Sequence, residues 1–552
     1  MRNWKWKVIA LCLAAAMLFS GCSTLLEEAM ERAGKEDILD RVTQGLLSPQ
    51  TVHFYDMEYS RPDLAEFDRA LENVCDLAAN EKDLDAVVDG IYAFYEVYDA
   101  FYTNYALADI HYSADLTDIY WEEEYNYCSE NISAADAGLE ELYYALADSP
   151  HREALEDEEY FGAGYFDAYD GENLWDEGFV ELMDQEAALQ TRYYELSGDA
   201  MGVEYYSEEY FTQYGDQMAQ LLVELIALRQ QIAAYAGYES YAEFAYDMYH
   251  YRDYTPQEAE AYMEQIPGQL GDAYRKINES DVWDIALIDC GEEETFAYLE
   301  SAAKAMGGTV EEAFSFLDAG GLYDISYGMN KYDSSFEVYL WSYYSPFVFM
   351  NPTMTPVDKL TFAHEFGHFA NDYVCYGSVA GTDVAEVHSQ ALEYLSLCCQ
   401  DEQTQLLEYK MADNLCTYVE QAAYALFEQR AYELTGDDLT AENLQKLYEE
   451  IGLEFGFDSW AWDSRDFVTI THFYTSPMYI ISYVVSNDVA FQLYQLERQS
   501  PGQGVQTYQQ CLESMDSYIL YFAESYGLES PFAEGRLESV RKSLEEELAN
   551  YL

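Results

Sequence analysis

Along much of this chain apolar residues recur every three or four positions, the spacing that lines one face of a helix. Residues 64–77, 84–105, 218–236, 256–266 and 406–434 follow this period and predict helices. The 11 prolines sit at joints, among them Pro150, Pro256, Pro346, Pro352 and Pro356, where a helix has to start or stop. Strand patterning is confined to residues 322–329, 336–341 and 347–351, short aromatic or β-branched runs bounded by Gly, Asp or Pro. The pattern predicts a mainly α protein with one small sheet. An edge of that sheet could pair with an extended peptide, and a purely structural sheet is the equal alternative.

Directly after these strands lies His364-Glu365-Phe366-Gly367-His368, in a chain with only 8 histidines. On a helix, positions i and i+4 share a face, so both imidazoles can reach one metal ion. Glu365 then stands where it can take a proton from a metal-activated water. The competing reading is a surface helix carrying two unrelated histidines. A catalytic zinc needs a third protein ligand besides an open position. A loop containing Gly377 and Gly381 follows, and a second helical run starts at Asp383. Asp383, Glu386 and Glu393 lie close to one face of that run, whereas His388 points elsewhere. Acidic groups at a helix start also suit its dipole, so Asp383 and Glu386 could simply be capping it.

The two helices together, HEFGH followed by D-x-x-E-x-x-S-x-x-x-E, resemble the thimet oligopeptidase and oligoendopeptidase F family of zinc metallopeptidases, closer to the oligoendopeptidase F branch. The resemblance extends upstream through Arg229-Gln230 to Tyr241, and through Tyr323-Asp324 and Asn330-Lys331 to Phe336. Downstream it takes in Thr471-His472-Phe473-Tyr474, Tyr479 and Tyr483. It implies that His364, His368 and Glu386 hold one zinc ion, that Glu365 is the general base, and that Glu393 orients a ligand histidine with Asp383 nearby. His472 and a tyrosine would face the scissile carbonyl, with Tyr483 a better match than Tyr479. The architecture implied is a two-lobed helical body whose deep channel admits short unfolded peptides. Three departures stand out: Asn371 where a further histidine is common, Tyr332-Asp333-Ser334-Ser335 in place of a glycine-rich turn, and an extra residue around Pro477. The expected activity is cleavage of internal bonds in oligopeptides. A zinc carboxypeptidase of the same type and a non-catalytic peptide-binding lipoprotein are the alternatives. Basic peptides could be favoured by the acidic surface.

The N-terminus adds a location. Basic residues Arg2, Lys5 and Lys7 precede a short apolar run, 8–19, that ends at Ser20-Gly21-Cys22. This reads as an export signal and resembles a bacterial lipoprotein cleavage box, with Phe19 where leucine is usual. The expected layout is a signal peptide at 1–21, a lipidated Cys22 opening a tether at 22–45, an N-terminal helical region at 46–205 and a catalytic region at 206–552. The protein would then be anchored by lipid to the outer face of a bacterial membrane. Half the residues are hydrophobic, which excludes a disordered chain. A formal net charge of -79 excludes nucleic acid and anionic headgroups as partners of the surface, and solubility accounts for it. The remaining cysteines have no CxxC or zinc-ribbon spacing. No protein partner is evident.

Overall fold

The computed structural model describes residues 52–552 apart from 158–159, 171–176, 201–202, 204–206, 378–380, 401–403, 458–461 and 515. The export signal, Cys22 and the tether therefore lie outside the described residues. Among the described residues no helix is long and apolar enough to cross a membrane.

Helices dominate. In the N-terminal region α1 (Leu64–Asn80), α2 (Leu84–Ala114) and α3 (Ile132–Ala147) enclose a core of their own. Asp63 starts α1 by accepting from the backbone of Ala65 and Glu66, which satisfies two of the free N–H groups at a helix start. That core runs from Phe67 through Phe94, Tyr95, Leu139 and Tyr143 to Tyr169, and the Tyr95 and Tyr143 hydroxyls, 2.8 Å apart, share a hydrogen bond inside it. A larger core reaches from Phe54 and the end of α2 at Leu107 and Ile110 through Phe179 and Tyr193 of α4 (Glu177–Asp199) to Leu548, and a small third cluster gathers Ile285, Tyr298 and Leu360. Helix α4 packs along α5 (Asp216–Tyr235).

The sheet has the order β1–β3–β2, with β1 (Tyr323–Asp324) parallel to β3 (Ser345–Met350) and β2 (Ser335–Leu340) antiparallel to it. Ser335 is paired with Met350 and Leu340 with Ser345. Central β3 is buried throughout, which accounts for its apolar run from Pro346 to Met350. Strand β2 is left at the edge.

Helix α6 (Asp358–Cys375) follows the sheet and carries the HEFGH residues. Its start is fixed by the Asp358 carboxylate, which accepts from the backbone N–H of Thr353 and of Thr355 at 2.9 and 3.0 Å. Helix α7 (Thr382–Cys398) crosses α6 at Gly367. A Cβ on Gly367 would stand 2.5 Å from the backbone of His388 and Ser389, so glycine sets how closely the helices approach. Two more helices complete the surroundings, α8 (Thr404–Cys416) and α9 (Ala422–Ala431), joined by a π-turn at Thr417–Gln421. Helix α10 (Ile481–Gln499) packs along α7.

Candidate active site

On α6, His364 and His368 are half-buried one turn apart, ring centroids 5.1 Å from each other. Glu386 comes in from α7, and the ligand atoms of the three residues all lie within 4.8 Å of one another. His364 Nδ1 is 2.8 Å from Glu393 Oε1, which leaves Nε2 turned toward Glu386 Oε2 at 3.5 Å. Glu393 is held in turn by Lys410 of α8, Nζ to Oε2 2.6 Å. Glu386 accepts from Ser389 Oγ at 3.0 Å and from the Tyr479 hydroxyl at 2.5 Å.

Glu365 is buried beside this group, and Ser335 Oγ of β2 donates to its Oε1 at 2.7 Å. Opposite, His472 Nε2 and the Tyr483 hydroxyl are 3.2 Å apart, and the ring of Tyr479 lies 5.3 Å from that of Tyr483. Burial holds both tyrosines well above the usual phenol range, and Glu386 adds to it. They remain neutral donors.

Electrostatics separate the two histidines. Burial disfavours a charged His364, yet the carboxylates of Glu393, Glu386 and Glu365 outweigh it and push its imidazole up to about 9. Burial and the neighbouring His364 push His368 down to about 3. Burial also raises the Glu365 carboxyl, against the pull of His364 and Ser335. Three glutamates thus crowd a buried site where the nearby positive charge comes from His364 and Lys410. A divalent cation suits that imbalance, and two imidazole nitrogens with one carboxylate make a donor set for a transition-metal ion.

A second shell of buried charge carries the wall opposite. Asp383 accepts from Tyr254 at 2.8 Å, from Ser482 at 2.5 Å and from Arg252 Nε at 3.3 Å. Arg252 Nη2 also donates to Met478 O at 2.8 Å. Met478 has a left-handed backbone, φ 62°, and its N–H goes to Glu428 of α9 at 2.9 Å. His250 Nε2 meets Pro477 O at 2.9 Å. Arg229 is fully buried, paired with Glu186 at 2.6 Å, and donates to the carbonyls of Phe473 and Tyr474 at 2.7 and 2.5 Å.

The structure therefore brings His364, His368, Glu386, Glu365, Glu393, His472 and Tyr483 to one place. It ties Asp383 to the turn that presents Tyr479 and Tyr483, and not to a ligand histidine. His388 lies away from the group against Tyr508 and Phe522. Sequence reasoning passed over Ser335, Lys410 and Arg252 as site residues. A signal existed for the cations: with only 26 Lys and Arg in the chain, a basic residue inside an apolar helical stretch, such as Lys410, is conspicuous.

Residues 54–172 match the family model of the Peptidase M3 N-terminal domain. Among curated proteins no sequence matches. Among solved structures, a provisionally assigned oligoendopeptidase F superposes with a TM-score of 0.75 at 19% identity, covering 90% of this chain and 99% of that one. Another, from Bacillus anthracis, gives 0.74 at 20%, covering 90% and 98%. PZ peptidase A with an inhibitor gives 0.75 at 17%, covering 90% and 99%. The chain thus resembles the Peptidase M3 N-terminal domain over residues 54–172 and, over nearly its whole length, shares the mainly α fold of these solved structures.

Proposed function

We propose that this chain is a peptidase of the M3 family, a zinc metalloendopeptidase that hydrolyses internal bonds of short unfolded peptides. The observation that carries this reading is the convergence of His364, His368 and Glu386 within 4.8 Å, with a buried carboxylate on one side and a histidine–tyrosine pair on the other. His364, His368 and Glu386 would hold a zinc ion, which would supply Lewis-acid chemistry toward water and the scissile carbonyl. Glu393 fixes the orientation of His364 through Nδ1 and raises its basicity as a ligand. Glu365 accepts the proton of the attacking water and returns it to the leaving amine. Tyr483, within electrostatic reach of both Glu386 and Glu365, donates to the carbonyl oxygen as charge develops there, and His472 orients it. A non-catalytic binder would have no use for Glu365.

The test compares wild type with Glu365→Gln, both lacking residues 1–22, on a mixture of short peptides read by mass spectrometry, with bound zinc measured in each. Internal cleavage by wild type and its loss in Glu365→Gln, at equal zinc content, is the expected result. Release of single C-terminal residues would instead make the protein a carboxypeptidase, and zinc without cleavage in either form would make it a binder.

Anchoring through Cys22 belongs to the same reading. Full-length protein is expected in the membrane fraction and Cys22→Ala in the soluble one; equal partitioning would remove the anchor.

A further inference from the structure

We infer that Ser335 is a positioning residue for Glu365, and that it couples the base to the strand along which a peptide would lie. The inference rests on the peptidase reading above. A glutamate side chain ends in a carboxylate whose last torsion is broad and roughly two-fold, so packing alone leaves the direction of its oxygens loose. The Ser335 hydroxyl reaches across from β2 and donates to Glu365 Oε1 at 2.7 Å. With one oxygen held, the direction of the other is fixed as well.

Ser335 is itself held in place. It is the first residue of β2 and pairs with Met350 of β3. Met350 O accepts from Lys331 Nζ at 2.8 Å, and the same ammonium donates to Asp324 Oδ1 and Ser326 O, each at 2.8 Å. One residue before Ser335, Ser334 O accepts from Asn351 N at 3.1 Å. Two residues further back, the loop is joined to the end of α2, Tyr332 N donating to Ser113 O at 2.8 Å. The serine therefore sits on a braced strand start, within the stretch Tyr332–Ser335 that replaces the glycine-rich turn of the family resemblance. Among the described residues β2 is an edge strand of the sheet, so an extended peptide adding there would pair with the strand that aims the base. A small error in the position of a catalytic group costs rate and leaves binding of the remote substrate intact.

The experiment is steady-state cleavage of one short peptide by wild type, Ser335→Ala and Ser335→Thr, with zinc content and thermal unfolding measured alongside. Ser335→Ala is expected to lower kcat about tenfold, the size of one hydrogen bond to a charged group, at unchanged KM and zinc. Ser335→Thr, which restores a hydroxyl on the same Cβ, is expected to recover most of that loss. An unchanged kcat in Ser335→Ala, or a loss that threonine does not recover, overturns the assignment while leaving the peptidase reading intact. No cleavage by wild type overturns the peptidase reading, and this inference with it.

Discussion

Tyr479, in the turn before α10, and Tyr483, in its first turn, have different partners, Glu386 for the first and His472 for the second. Their loss should therefore be felt differently. Tyr483→Phe removes a donor aimed at the developing oxyanion, and an effect of about a hundredfold on kcat is expected with metal content unchanged. Tyr479→Phe frees one oxygen of a metal ligand, so weaker zinc retention, about tenfold, should come first. Zinc titration and single-peptide kinetics on both variants decide it, and the opposite pattern would exchange the two roles. Sequence spacing favoured Tyr483 but had no access to the contact that tells them apart. The same limit held for the acidic residues of α7. Helical spacing puts Asp383, Glu386 and Glu393 on one face without telling them apart; the family resemblance implied the roles of Glu386 and Glu393, and the fold adds that Asp383 pairs with Arg252 and Glu393 with His364. Lys410 is conspicuous as a rare cation, but its partner was not legible, because it comes from another helix and helical period says nothing about which neighbouring helix supplies a charge.

At the scale of elements, helices were legible wherever apolar spacing persisted, and the misses have local causes. Residues 406–434 read as one helix, but a π-turn at Thr417–Gln421 divides it into α8 and α9. One extra residue per turn leaves the apolar period almost unchanged while shifting the face that follows. The first strand was expected over 322–329 and is only Tyr323–Asp324. The carbonyls that would have continued it are spent elsewhere: Lys331 Nζ takes those of Asp324 and Ser326 at 3.2 and 2.8 Å. The turn bearing the tyrosines shows the converse. Nothing in its own sequence makes Met478 left-handed, and a non-glycine residue there is held by what surrounds it. Arg252, Glu428 and His250, from two other segments, fix its neighbouring backbone groups. Arg252 and Asp383 are both buried, and each offsets a charge that would otherwise stand alone in the interior.

For the molecule as a whole, the metal site is where charge, packing and stability meet. The chain carries a net charge of -79, and several of its few cations, Arg229, Arg252, Lys331 and Lys410, are buried in structural pairs. Glu365, Glu386 and Glu393 add three carboxylates between α6 and α7, the helices that run through the middle of the larger core. A divalent ion there would neutralise carboxylate charge that His364 and Lys410 balance only in part, and it would bind the folded arrangement because the unfolded chain does not bring the three ligands together. At a hundredfold excess over its dissociation constant such an ion stabilises the native state by about 2.7 kcal/mol. Thermal unfolding of wild type should therefore fall by a few degrees on chelation and recover on adding zinc. Glu365→Gln should keep that metal-dependent shift, since Glu365 takes the proton and not the ion. His368→Ala should lose the shift, having given up a ligand. Because the readout is unfolding, it separates metal binding from catalysis: an unfolding temperature indifferent to chelator in wild type would remove the metal from the site, whatever peptides the protein cuts.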